Sequence, residues 1–122
     1  MTLEEIYQFF ADQPPVYLRI EQAICYMLSV LLEGESYGTG LIEKLESEYP
    51  NYRLSDTVLY AALSFLEAQS ALASRTQKVD GRGRPRRMYS LSPQWHNEAQ
   101  KLAALWRGFV TKQPQVSEAV AV

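Results

Sequence analysis

One cysteine and one histidine stand in a chain of 122 residues, and their scarcity excludes whole classes of chemistry. A lone thiol allows no intrachain disulfide, and structural zinc needs several Cys or His ligands that this chain does not have. Cys25 lies in the apolar run Ala23 to Leu32, where it reads as a buried structural thiol. His96 has no second histidine and no nucleophile patterned with it, so neither a metal nor an enzymatic activity is expected. Long apolar runs are absent too: no window approaches the roughly eighteen residues of a membrane span. The acidic start Met1 to Glu5 lacks the basic-then-apolar plan of a signal peptide, so a cytoplasmic chain with no membrane partner is expected. Gly38-Thr39-Gly40 lacks the third glycine of a dinucleotide loop, and no cofactor is expected. Net positive charge is also missing. Twelve Lys and Arg against fourteen Asp and Glu give −2, the wrong sign for a protein that coats nucleic acid by bulk charge.

The charge is unevenly placed, however. Arg75, Lys78, Arg82, Arg84, Arg86 and Arg87 put half of all basic residues into thirteen positions, with Asp80 the one acid among them. A basic projection on an acidic body suits anion contact at one place, because the body's field discourages indiscriminate association along phosphates. The remaining composition, 47% hydrophobic and 21% charged, is that of a folded globular domain with one core.

Apolar periodicity and caps predict a mainly α chain with a small β-hairpin. Thr2 and Glu5 have capping-box spacing, and Leu3, Ile6, Tyr7 and Phe10 make residues 3–12 an amphipathic helix ended by Pro14-Pro15. A nearly all-apolar helix follows from Ile20 to Glu33, with Gly34 as its stop and Glu35-Ser36-Tyr37-Gly38 as a turn. Residues 40–49 form a short helix closed by Pro50, and Ser55 caps a helix whose stripe is Val58, Leu59, Ala62, Leu63 and Leu66. Strands at 72–79 and 87–91 flank the turn-rich tip Asp80 to Pro85, and Ser92-Pro93 opens a last helix from about Gln94 to Lys112. The plan is an N-terminal helix and linker (1–15), a winged helix-turn-helix (16–92), a C-terminal helix (93–113) and a tail (114–122) that needs no ordered structure.

Spaced over residues 20–110 stand Tyr37-Gly38, the segment Leu54 to Tyr60, Leu63 with Leu66-Glu67, and Gly83-Arg84-Pro85-Arg86-Arg87-Met88-Tyr89-Ser90-Leu91. Together these motifs resemble those of the PadR-like transcriptional regulators. Two places depart from the family pattern: Ser70-Ala71 replaces a Gly-hydrophobic pair, and Ser92 opens Ser-Pro-Gln-Trp where the family has Thr-x-x-Gly. The N-terminal extension is similar to that of a cyanobacterial clock-associated member. The resemblance implies a homodimeric, sequence-specific DNA-binding regulator, in the main a repressor, that occupies a palindromic operator on double-stranded DNA.

Candidate contacts follow from helix-turn-helix geometry, in which the start of the second helix reaches base edges and phosphates. Ser55, Thr57, Tyr60 and Ser64 lie off the apolar stripe, and their hydroxyls suit phosphate oxygens near a helix N-terminus. Residues 56–69 hold no Lys or Arg, so this helix offers no arginine for reading guanine, and the wing must supply the charge. Arg82, Arg84, Arg86 and Arg87 are the candidates, since flat guanidinium groups lose less hydration than ammonium in a narrow minor groove. Gly83-Arg84-Pro85 is also similar to the core of an AT-hook, another minor-groove device.

The last helix carries Trp95, Ala99, Leu102, Trp106 and Phe109 at 4-3-4-3 spacing, a seam too apolar to leave in water. It must pack on its own domain or on a second subunit. The resemblance implies the second subunit, with Leu3, Ile6 and Phe10 of the first helix contributing to the dimer interface. It also admits a small aromatic effector between Trp95 and Trp106, against which plain packing is the simpler use of the rings. The acidic body and a recognition helix without Lys or Arg leave one rival, a winged-helix module that binds protein without touching DNA.

Overall fold

The computed structural model describes residues 1–78 and 85–112. Among the described residues are five α-helices, α1 (Leu3–Ala11), α2 (Ile20–Leu31), α3 (Gly38–Glu48), α4 (Asp56–Ala68) and α5 (His96–Lys112), and two small sheets. The strands are β1 (Val16–Tyr17), β2 (Ser36–Tyr37), β3 (Tyr52–Arg53), β4 (Leu72–Gln77) and β5 (Arg86–Leu91). This is the expected mainly helical winged helix, with more strand than the sequence suggested. Ser36-Tyr37, read as part of a turn, is an edge strand paired antiparallel to β5, and α3 begins at Gly38 directly after it. β5 is thereby the centre of a three-stranded sheet in the order β2-β5-β4. β1 and β3 pair in parallel, Val16 with Tyr52 and Tyr17 with Arg53, tying the linker after α1 to the entry of α4.

Local chemistry accounts for the helix ends. At α1, Thr2 Oγ1 accepts from the Glu5 amide and Glu5 Oε2 accepts from the Thr2 amide, each at 3.1 Å, a complete capping box. At α4, Ser55 Oγ accepts from the Val58 amide at 3.2 Å. Its other end closes through Ala71 N to Leu66 O at 2.9 Å and Ser70 N to Glu67 O at 3.0 Å, with Ser70 in the left-handed region at φ 59°. That is a Schellman closure, and it explains why the family favours glycine where this chain has Ser70. After β5, a short 3₁₀ turn over Pro93–Trp95 precedes α5, so the last α-helix starts two residues later than Gln94.

The core forms where α2 lies against α4 and α5. Ala23, Tyr26, Met27, Leu28, Val30 and Leu31 of α2 meet Leu59, Ala62, Leu63 and Leu66 of α4 and Ala99, Ala103 and Trp106 of α5. Trp106 is 1% exposed. Its ring lies 5.6 Å from Tyr26, 5.3 Å from Tyr49 and 5.8 Å from Tyr52 in edge-to-face contacts, and 6.0 Å from Phe109 in a stacked one. Its indole N–H has no acceptor among the described residues, a cost of about 1–3 kcal/mol. Burying a ring of roughly 150–250 Å² offsets this by about 4–6 kcal/mol. Tyr26 donates to Leu41 O at 2.6 Å, and burial, with Glu48 and Tyr49 adding to it, pushes its phenol well above the usual range.

Within the chain the C-terminal seam packs on its own domain, one of the two places its apolarity allowed. Ala99 and Trp106 are buried in that core. Leu102 and Phe109 are half-buried against the same core, and Trp95 donates from Nε1 to Gln69 O at 3.2 Å. The physical reason is that α2, apolar on nearly every face, needs a cover that α4 alone does not provide. A flat ligand between Trp95 and Trp106 would have to displace the rings already packed on Trp106. In α1, by contrast, no residue is buried: Leu3 is 73%, Ile6 40% and Phe10 64% exposed.

Candidate nucleic-acid interface

α4 turns Leu59, Ala62, Leu63 and Leu66 inward, so its remaining positions form a solvent face. Thr57, Tyr60, Ala61 and Ser64 are exposed there, at the three- and four-residue offsets that put side chains on one side of a helix. Tyr60 is 58% exposed, and its hydroxyl lies near the first residue of α3, where a Cβ on Gly38 would stand 3.8 Å away. Ser55 is half-buried, with its oxygen already accepting the Val58 amide. The amides of the first turn of α4 and three hydroxyl-bearing side chains therefore share one end and one face of this helix, an arrangement suited to phosphate oxygens. No cation belongs to α4: Asp56 and Glu67 are its charged residues.

The cations come from the hairpin. β4 and β5 pair over six positions, from Leu72 with Leu91 to Gln77 with Arg86. Successive side chains alternate between the faces of the sheet, so Arg86 and Met88 share one face while Arg87 and Tyr89 share the other. On the first face, the Arg86 guanidinium carbon sits 3.9 Å over the centroid of the Tyr37 ring. On the second, Arg87 Nη2 donates to Glu67 Oε2 at 3.2 Å and to Ser74 Oγ at 2.9 Å, with its guanidinium 5.8 Å from the Tyr89 ring centre. Arg75 is paired with Glu35, which holds its guanidinium even more firmly protonated than usual. Tyr89 is driven above the ordinary phenol value by burial, with Arg87 pulling the other way.

Of the wing arginines named from the sequence, Arg86 and Arg87 thus stand at the tip end of the strand ladder with exposed side chains, Arg87 bonded to α4 and Arg86 over Tyr37 on the other face. Arg82 and Arg84 lie outside the described residues. Each of Arg75, Arg86 and Arg87 also has a partner in its own chain that sequence reading missed: Glu35, Tyr37 and Glu67. Those partners are 20 to 49 residues away, and no local signal marks them. Tyr37 was visible as a family position, but its contact with the wing depends on β2 joining β5. Among the described residues no cluster of His, Cys, Asp and Glu could hold a metal ion, and no helix is long and apolar enough to cross a membrane.

Residues 27–101 match the family model described as the transcriptional regulator PadR-like family. The crystal structure of the circadian clock associated protein Pex from Anabaena is 58% identical, covering 91% of this chain and 96% of its own, with a TM-score of 0.82. Pex from Synechococcus is 53% identical over 90% of this chain and 98% of its own, with a TM-score of 0.86. The resemblance to a clock-associated member is therefore borne out. Bacillus subtilis PadR, solved in complex with operator DNA, shares the fold at 20% identity and a TM-score of 0.55, over 68% of this chain and 47% of its own. No curated protein matches the chain significantly.

Proposed function

The chain belongs to the PadR-like transcriptional regulator family, and from that premise we propose that it binds double-stranded DNA through α4 and the wing and regulates transcription by occupying an operator. Regulation of transcription, not enzymatic turnover, is the business of this family. The observation that carries the DNA-binding mode is the bond from Arg87 to Glu67. The bond measures how near Arg87 lies to the helix whose exposed face carries Thr57, Tyr60 and Ser64, so that hydroxyls and this guanidinium can address one polyanion together once phosphate replaces the carboxylate. Without Lys or Arg on α4, base reading there is confined to hydroxyl and apolar contacts, while the wing supplies the phosphate or minor-groove contacts.

The acting unit in this reading is a homodimer on a palindromic operator, which presents two copies of α4 and two wings about 34–36 Å apart, one DNA turn. The exposed apolar face of α1, with Leu3, Ile6 and Phe10, supports it, because such a face is left in water only at a cost. Repression by promoter occlusion is the outcome this mode of binding favours. The similarity to the clock-associated Pex chains carries the proposal further, to a regulator associated with the circadian clock.

Selection of bound duplexes from a random-sequence pool, followed by titration at several salt concentrations, tests the reading. Enrichment of an inverted repeat whose affinity falls steeply with salt is the expected result. Failure to enrich any sequence, with no affinity for duplex DNA at modest salt, would leave a protein-binding module in its place.

A further inference from the structure

Two motifs that are far apart in the chain, Tyr37-Gly38-Thr39-Gly40 and Pro85-Arg86-Arg87, meet in the fold. Pairing of β2 with β5 sets Tyr37 opposite Met88, and the period of two along β5 brings Arg86 to the same face of the sheet. The guanidinium of Arg86 then lies 3.9 Å from the centre of the Tyr37 ring. The same ring rests against the first turn of α3: a Cβ on Gly40 would stand 2.9 Å from both Cε1 and Cζ of Tyr37. An approach that close is not tolerated, so any side chain larger than hydrogen at position 40 shifts the ring. Gly40, Tyr37 and Arg86 form a series in which the bare backbone of a helix start seats a ring, and the ring seats a cation.

We propose that Tyr37 is a positioning residue for DNA binding, a platform that holds Arg86 ready for the duplex, and that glycine is needed at position 40 to leave the ring its seat. This inference rests on the reading of the wing as a DNA-binding device. An arginine free in solution loses rotamer freedom when it binds a phosphate; one already lying on a ring has lost much of it beforehand. A guanidinium flat on an aromatic face keeps its edge N–H groups free to donate outward, which an ammonium in the same place does not match. The phenol hydroxyl has no part in this, so the ring alone is what matters.

The test measures anisotropy of a labelled duplex, the sequence enriched by the unaltered chain, against Tyr37→Leu, Tyr37→Phe, Gly40→Ala, Arg86→Ala and the double substitution Tyr37→Leu with Arg86→Ala. Tyr37→Leu is expected to weaken binding about 2- to 5-fold per chain, the size of an exposed cation–π interaction, while Tyr37→Phe stays near the unaltered value. Gly40→Ala should reproduce that weakening by moving the ring. Alanine also favours the helix, and the atoms it meets are the far end of a movable side chain, so this variant keeps the test usable if Tyr37→Leu does not fold. The double substitution should bind no worse than Arg86→Ala alone, the coupling that a merely structural role of Tyr37 would not produce. If Arg86→Ala weakens binding but Tyr37→Leu and Gly40→Ala do not, or if the two effects add, the platform is overturned and the wing reading stands. If Arg86→Ala itself changes nothing, Arg86 has no part in DNA binding and both fall.

Discussion

Arg87 of β5 and Glu67 of α4 are joined by a 3.2 Å hydrogen bond from Nη2 to Oε2, so the wing is fastened to the last turn of the recognition helix by one ion pair. Both side chains remain partly in water, where such a pair adds at most about 1 kcal/mol to stability. Its larger effect falls on the ligand. In the proposed mode of binding, Glu67 neutralises a guanidinium that would otherwise face phosphate, and it presents a negative charge to a polyanion.

Glu67→Gln is therefore expected to tighten duplex binding and to steepen its salt dependence by up to about 0.9 in the log–log slope per chain, the equivalent of neutralising one more phosphate. Anisotropy titrations across a salt series measure both quantities. Weaker binding by this variant would show that the carboxylate orients Arg87 and does not compete for it.

Ser70 occupies the left-handed position of the closure after α4 at φ 59°, where a Cβ is crowded and glycine is not. Ser70→Gly should raise thermal stability by about 1 kcal/mol, and Ser70→Val should lower it by at least as much. Thermal denaturation followed by circular dichroism decides the matter. No gain from glycine would mean that the Schellman bonds, and not the backbone angle, set the energy of this turn.

The two apolar surfaces assigned to the dimer from the sequence should behave differently. Trp106→Ala removes a ring packed among Tyr26, Tyr49, Tyr52 and Phe109 and is expected to cost about 3–5 kcal/mol of folding free energy. Ile6→Asp with Phe10→Asp touches no buried residue of α1, so helical content should survive while the sedimentation coefficient falls to that of a monomer. A monomeric Trp106→Ala variant with unchanged stability would return α5 to the interface.

These contrasts show what can be read from a sequence of this kind. The Thr2–Glu5 capping box, the Ser55 cap and the stripe from Val58 to Leu66 are local signals, and each appears in the fold within a residue or two of its expected place. β2 is two residues long and exists only because Tyr89 and Met88, 51 or more positions further on, complete its ladder. β1 and β3 are equally short and equally dependent on each other. The α5 seam was legible as apolar, yet periodicity says that a face is buried and not against what; α2 took it. For the interface, the exposed hydroxyls of α4 followed from the helix period. The partners of Arg75, Arg86 and Arg87 did not, because each pairing crosses between elements.

The central claim is that the wing carries the charge that binds DNA, and the most direct test is the salt dependence of duplex binding by the double substitution Arg84→Ala with Arg86→Ala. The expected result is a sharp drop in affinity, with a log–log slope shallower by up to about 0.9 for each phosphate that the wing no longer neutralises. Affinity and slope both unchanged from the unaltered chain would contradict the account.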